Sequence, residues 1–436
     1  MNADLARLLR AMVEHHGSDL LLSVGAPPHL KIDGVLHAFR GGPLAQAQVA
    51  ELAAATMTAA QQREYAQTHE MNLALEAPGV GRFRVNVYRQ RGRDALAIRF
   101  LSNRIPSLEA LHLPASLRSL VEGRRGLVLV VGAAGSGKST TLASLVDWLN
   151  HRHALHILTV EDPIEYVHEH DRAVVDQREV GIDTRSFGDA LRNAMREAPD
   201  VLMIGEIRDR ETMQAAIAYA ETGHLCLATM HANNANQALD RILNFFPEAA
   251  RTQLLVDLSL NLLAVLSQRL LRGVDGRRLP AVELLLASPL ASEQIRKGEV
   301  ALLKETMKQA LASGMMTFDE SLFRLYEAGR IGYAEAIANS DSHTDLALRI
   351  RLQCPRDDIP DDLDQARLAG TGPDARFEKL STPPPPKELP PIWADVPDAA
   401  ATAPARAGEP APGGQPAGED GAPSTRRSQL GRIRDQ

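Results

Sequence analysis

Between positions 132 and 139 the chain reads Gly132-Ala133-Ala134-Gly135-Ser136-Gly137-Lys138-Ser139. The octapeptide fits G-x-x-x-x-G-K-[ST], with an apolar run at 127–131 before it and a helix-like segment opening at Lys138. A loop of this kind works only at a strand-to-helix junction, so it commits this part of the chain to an α/β fold. Its glycines let backbone N–H groups turn inward around phosphate oxygens, and the helix start adds the positive end of its dipole. Lys138 reaches the terminal phosphates as a point charge, and the Ser139 hydroxyl is suited to Mg²⁺. With Thr140 next in line, residues 132–140 form the expected ATP- and Mg²⁺-binding stretch.

Around this loop, apolar runs alternate with amphipathic segments. Strands are expected at 127–131, 155–160, 201–204 and 225–230, and helices from 138, near 185–197 and near 210–221. Continuous apolar strands imply a parallel sheet covered on both faces. Residues 251–354 read as mainly helical.

Phosphoryl transfer from ATP to water needs a metal clamp and a group that orients the water. Two acidic groups follow strands of this sheet, where a doubly wound fold places its ligand crevice. One is Glu161-Asp162-Pro163-Ile164-Glu165; the other is Glu206, a metal-side acid paired with Ser139. His224 and His231 bracket the strand 225–230, which suggests a sensor of the γ-phosphate or of a catalytic acid.

Residues 1–100 read as a small α/β domain. Leu5, Leu8, Leu9, Met12 and Val13 recur on one face of a helix, interrupted by charges, which is a soluble-helix pattern and not that of a signal peptide. Short strands follow at 19–24 and 29–36, then a helical stretch over 45–66. Residues 81–88 alternate, with Arg82, Arg84 and Asn86 on the polar face. A linker spans 101–120, the core 121–290, and a helical region 291–354. The last 82 residues, 355–436, hold 15 of the 26 prolines and few aliphatics, so a disordered Pro/Ala-rich tail is expected.

The net charge of −7 and the absence of basic or aromatic clusters disfavour a helicase-like DNA motor, so no nucleic-acid partner is expected. Two cysteines, Cys226 and Cys354, disfavour a disulfide framework and a four-cysteine zinc site.

Taken together, these residues resemble the type IV pilus retraction ATPases, PilT and PilU, of the secretion-ATPase superfamily. Ile157-Leu158-Thr159-Val160 running into Glu161–Glu165 looks like its Asp box. Asp200-Val201-Leu202-Met203-Ile204-Gly205-Glu206-Ile207-Arg208-Asp209 looks like its Walker B. Ala220-Glu221-Thr222-Gly223-His224 through His231 looks like its His box. Ile295-Arg296-Lys297-Gly298-Glu299 and Gly314-Met315-Met316-Thr317-Phe318-Asp319 look closer to PilU.

The resemblance implies a RecA-like P-loop core, a PAS-like N-terminal domain, C-terminal helices and an ATP-hydrolysing hexameric motor for pilus retraction and twitching. It implies Glu165 as general base, Glu161 near the metal shell, Glu206 as the Walker B acid and His224 and His231 as the His-box pair. Arg82, Arg84 and Arg241 become candidates for completing a nucleotide site, including a neighbour's. It also implies a cytoplasmic protein held peripherally at the inner membrane through a platform protein, with a possible hetero-assembly with a PilT-like ATPase. Two other readings stay open: an accessory nucleotide-binding ring supporting a homologous motor, and an extension or secretion ATPase.

Overall fold

The computed structural model describes residues 2–359, except 33, 102, 103, 124 and 357, together with residue 389. The rest of the expected disordered tail, 360–388 and 390–436, lies outside the described residues.

Six antiparallel strands form the first sheet: β1 (Asp19–Ser23), β2 (His29–Ile32), β3 (Val35–Ala38), β4 (Glu70–Ala77), β5 (Gly81–Gln90) and β6 (Arg93–Leu101). Their order is β3-β2-β1-β6-β5-β4. The helix Ala3–Glu14 buries Leu5, Leu8, Leu9 and Met12 completely, the face its periodicity marks. Each such side chain contributes roughly 1.5–3 kcal/mol through burial. The helical stretch expected over 45–66 is two helices, Gln46–Thr56 and Ala59–Thr68. They break at Thr58, whose hydroxyl accepts from Gln61 N–H at 3.3 Å while Gln61 Oε1 accepts from Thr58 N–H at 2.9 Å, a capping box. On β5, Phe83, Val85 and Val87 are buried and Arg82, Arg84 and Asn86 take the other face.

The second sheet has seven strands: β7 (Gly126–Gly132), β8 (His156–Glu161), β9 (Val174–Glu179), β10 (Val201–Ile204), β11 (Leu225–Met230), β12 (Leu262–Arg272) and β13 (Arg278–Leu286). The order is β13-β12-β7-β11-β10-β8-β9, parallel throughout except for β13. All residues of β7, β10 and β11 are buried, consistent with helices on both faces.

The mainly helical expectation for 251–354 is corrected by β12 and β13, a hairpin of 11 and 9 residues. Leu262-Leu263-Ala264-Val265-Leu266 is a continuous apolar run, and such a run does not separate a buried strand from a buried helix by periodicity. Here β12 pairs in parallel with the central β7, so both its faces are covered. Helices Pro289–Lys297, Leu303–Gln309, Phe318–Glu327, Tyr333–Ala338 and His343–Gln353 follow. Arg269 of β12 stacks 3.8 Å from the Phe318 ring centroid and pairs with Asp341 at 2.8 Å, fixing these helices to the sheet.

The first residues of the expected tail carry contacts to these helices where they are described. The Asp358 carboxylate accepts from Tyr326 hydroxyl at 2.7 Å and from Tyr333 N–H at 2.8 Å, and Ile359 packs on the same helices. Among the described residues no helix is long and apolar enough to cross a membrane.

Candidate active site

The parallel strands bring their carboxyl ends to one edge. Val160 of β8 lies opposite Ile204 of β10, Ile204 opposite Ala228 of β11, and Ala228 opposite Leu129 of β7. Just beyond them stand Glu161, Gly205-Glu206 and Thr229, level with one another, and β11 runs on through Met230 to His231, level with Gly132 where the loop leaves β7. A cavity of 290 Å³ opens there, lined by Ala134, Gly135, Lys138, Ser139, Glu161, Glu165, Glu206 and His231.

Gly132 has to be glycine for contact reasons. A Cβ there would stand 2.3 Å from Ser136 Oγ and 2.6 Å from the Gln268 carbonyl oxygen. Gly137 opens the helix Lys138–Asn150 with a φ of 92°, a left-handed conformation. Lys138 is buried and its ammonium donates to the carbonyls of Gly132 (3.0 Å) and Ala133 (2.9 Å). Burial lowers its pKa, while the Glu206 and Glu165 charges oppose that shift. The Ser136 hydroxyl is buried without a hydrogen-bond partner. A loop whose lysine satisfies itself on carbonyls and whose serine has no partner is suited to an anion that would engage both.

Glu206 is mostly buried and held from two sides. His231 Nε2 is 3.2 Å from its Oε1, and Arg208 donates through Nε and Nη2 to its Oε2, each at 2.7 Å. Arg208 Nη1 also lies 3.5 Å from Asp162 Oδ2, joining the tips of β10 and β8. Glu161 accepts from Thr159 Oγ1 at 2.7 Å and from Gln177 Nε2 at 3.2 Å. Burial pushes its carboxyl up to about 7, and the neighbouring Glu165 charge adds to the rise. Glu165 itself is exposed at the rim. Ser139 and Glu206 are hard oxygen donors that fit Mg²⁺. Among the described residues no group of three or more His, Cys, Asp or Glu side chains could hold a metal alone.

The profile of the family described as Type II/IV secretion system protein matches residues 13–315. The chain belongs to this family. Type IV pilus ATPase PilU of Pseudomonas aeruginosa is 49% identical over 350 residues, covering 80% of this chain and 92% of that protein. Type IV pilus retraction ATPase PilT of the same organism is 38% identical over 333 residues, covering 76% and 97%. A crystal structure of the pilus retraction motor PilT with bound ADP superposes with a TM-score of 0.74 at 38% identity, covering 78% of this chain and 98% of that one. Within the family, the chain groups with the type IV pilus retraction ATPases.

Not every residue assigned to the family's site reaches it. His224 precedes β11 while His231 follows it, so they stand at opposite ends of the strand, roughly 20 Å apart at 3.3 Å per residue. His224 contacts Thr222 Oγ1 at 3.0 Å and the Tyr219 ring at 4.8 Å between centroids. It does not line the cavity of its own chain, because flanking a strand is not converging on one end of it. Arg82 pairs with Glu179 at 3.0 Å and does not line the cavity; Arg84 is exposed. Arg241 lines a separate groove with Gly132, Ala133 and His231.

The arginine of the first sheet that does line the cavity is Arg99, on β6 directly opposite Arg84. Sequence reasoning passed it over because β6 had not been read as a strand. Also missed were Tyr166, whose hydroxyl is 3.0 Å from Thr140 Oγ1, and buried His168 on the cavity wall. Burial pushes the His168 imidazole down to about 4, so it is neutral. A second cavity, of 300 Å³, lies across the loop between Gly137, Thr140 and Thr141, the segment Ala110-Leu111-His112 and hairpin residues Leu270, Leu279 and Pro280.

Proposed function

We propose that this chain is an ATP-hydrolysing motor of type IV pilus retraction and twitching motility, working as a hexameric ring. The observation that carries the reading is the convergence of Lys138, Ser139, Glu165, Glu206 and His231 on one cavity at the carboxyl edge of a parallel sheet. Its kinship with proteins named as pilus ATPases supports the biological setting.

In this reading Lys138 leaves the two loop carbonyls to bind the terminal phosphates, and Ser136 and the loop N–H groups enclose them. Ser139 and Glu206 would hold Mg²⁺, which supplies charge neutralisation on the phosphates. Glu165 orients and deprotonates the attacking water, and His231 senses the γ-phosphate through Glu206. Arg99 adds positive charge from the first sheet. The nucleoside end lies in the second cavity, against Leu270, Leu279 and Pro280. Different affinities for ATP and ADP then drive closure and opening of the first sheet on the second. Six subunits moving in this way act, from the cytoplasmic side, on a platform protein of the inner membrane.

The test is steady-state ATP hydrolysis by the full chain, beside Lys138→Ala and Glu206→Gln. Turnover abolished by both changes supports the motor. The higher identity to PilU than to PilT, 49% against 38%, keeps an accessory ring beside a PilT-like ATPase as the second reading. Nucleotide binding without turnover by the unmodified chain selects that one. In cells, loss of the gene should leave pili but impair twitching; missing pili would indicate an extension motor.

A further inference from the structure

We infer that the open edge of the first sheet is a docking site for the chain's own proline-rich extension, which clasps strand β3 through Leu389. β3 is an outermost strand in the sheet order, so one side of it has no strand beside it in that sheet. Just past its end, Phe39 N–H points inward and donates to the Pro28 carbonyl at 2.9 Å. The flanking groups, Ala38 C=O and Arg40 N–H, consequently face the open edge.

Leu389 satisfies both. Its N–H donates to Ala38 O at 3.0 Å, and its carbonyl accepts from Arg40 N–H at 3.0 Å. That is the hydrogen-bond pattern of a parallel bridge between Leu389 and Phe39. The Leu389 side chain is only 7% exposed and Phe39 only 2%, so apolar burial accompanies the backbone pairing. Pairing to a sheet edge is a standard way for an extended segment to bind, with main-chain bonds for affinity and a side-chain pocket for register.

The local sequence suits this role. Leu389 is followed by Pro390 and Pro391. A residue before proline is steered away from the helical region and toward extended conformations, so Leu389 is pre-disposed to pair as a strand. In a parallel ladder the next donor would come from position 391, which is proline and has no N–H. The Leu389 bridge therefore has no donor to gain at that position. It covers a sheet edge that would otherwise invite pairing with another chain.

The clasp also makes a second link between distant parts of the fold. Asp358 is anchored on the helices Phe318–Glu327 and Tyr333–Ala338, and Leu389 on β3. Twenty-nine residues, 360–388, separate the two anchors in the sequence. Leu389 lies beyond residue 315, where the family profile ends, so the device belongs to this chain's extension.

Hydrogen exchange of the full chain without nucleotide tests this directly, read at the Arg40 amide, and does not depend on ATP hydrolysis. Leu389→Asp should speed that exchange by about tenfold or more while amides of β1 and β6 stay unchanged. Leu389→Val should preserve the protection, and deleting 360–436 should reproduce the Leu389→Asp result. Protection should be the same over a hundredfold range of protein concentration. Exchange at Arg40 insensitive to both the substitution and the deletion overturns the clasp. Protection lost on dilution overturns it as an intrachain contact and assigns Leu389 to a neighbouring copy.

Discussion

Arg82 Nη2 lies 3.0 Å from Glu179 Oε2, an ion pair between the polar face of the first sheet and the edge strand of the second. Glu179 also accepts from the Ile164 N–H at 3.1 Å, one residue before Glu165. The contact between sheets is therefore wired to the loop that carries the proposed base. Glu179 is nearly buried, so Arg82→Ala leaves a carboxylate with backbone donors alone. A loss of about 1–3 kcal/mol is expected, less than for a fully buried pair because Arg82 keeps some solvent contact. A double-mutant cycle with Glu179→Gln should return a coupling of about 1 kcal/mol or more by chemical denaturation. Coupling within experimental error of zero would show that the pair is screened and does not hold the sheets together.

Arg208 grips Glu206 through two nitrogens and reaches Asp162, so it fixes the orientation of the acid proposed to hold the cation. With Arg208→Gln, Glu206 retains only the His231 contact. If Glu206 has the proposed role, its misplacement by an ångström costs up to about 10²-fold in rate. The expected outcome is a fall in kcat of roughly tenfold to a hundredfold. Binding of a fluorescent ATP analogue should be preserved. Weakened binding with unchanged kcat would place Arg208 in ground-state nucleotide contact instead.

Glu161 supplies a pH signature. Its carboxyl ionises near 4.5 when unfolded and only near about 7 when folded. Between these values unfolding releases a proton, so stability falls as pH rises through that window and levels off above it. Below about pH 4.5 the group is neutral in both states and carries no penalty. Glu161→Gln should therefore raise the melting temperature at pH 8 and change it little at pH 4.5, in nucleotide-free protein. The shift corresponds to at most about 3 kcal/mol at the upper pH. An equal gain at both pH values would mean that charge burial is not the cause.

How legible the site was depended on how each element meets its surroundings. β10, the helix Arg210–Glu221 and β11 match their sequence-derived ranges because apolar strands and a capped amphipathic helix leave little choice. Asp209 caps that helix, accepting from Thr212 N–H at 2.9 Å. The residues at the tips of these strands were readable for the same reason. β12 was not, because its apolar run suits two kinds of buried element, and the second cavity it helps to line stayed hidden with it. β9, carrying Asp176, Gln177, Arg178 and Glu179, is a polar edge strand held by β8 and not by hydrophobic patterning. The partners Arg82–Glu179 and Thr140–Tyr166 are contacts between elements, which local pattern does not encode.

Arg99 offers the sharpest separation of chemistry from folding. Arg99 lines the cavity proposed to take the phosphates, its guanidinium is held by Asp19 Oδ1 at 2.8 Å, and most of its side chain is exposed. An exposed ion pair contributes only about 0–1 kcal/mol, so Arg99→Ala should leave the melting transition nearly unchanged. Charge placed where the transferring phosphoryl group develops negative charge acts far more on the transition state than on folding. We therefore expect kcat to fall by about tenfold or more, with arginines of this role reaching 10³-fold or beyond in other phosphoryl-transfer enzymes. Arg84, directly opposite on β5 and outside the cavity, provides the matched control: Arg84→Ala removes the same charge from the same face and should keep turnover within about twofold, since exposed charges are well screened. Measuring both variants separates local contact from general electrostatics. Equal losses from the two would mean that the positive face acts as a whole and that Arg99 has no special place at the nucleotide.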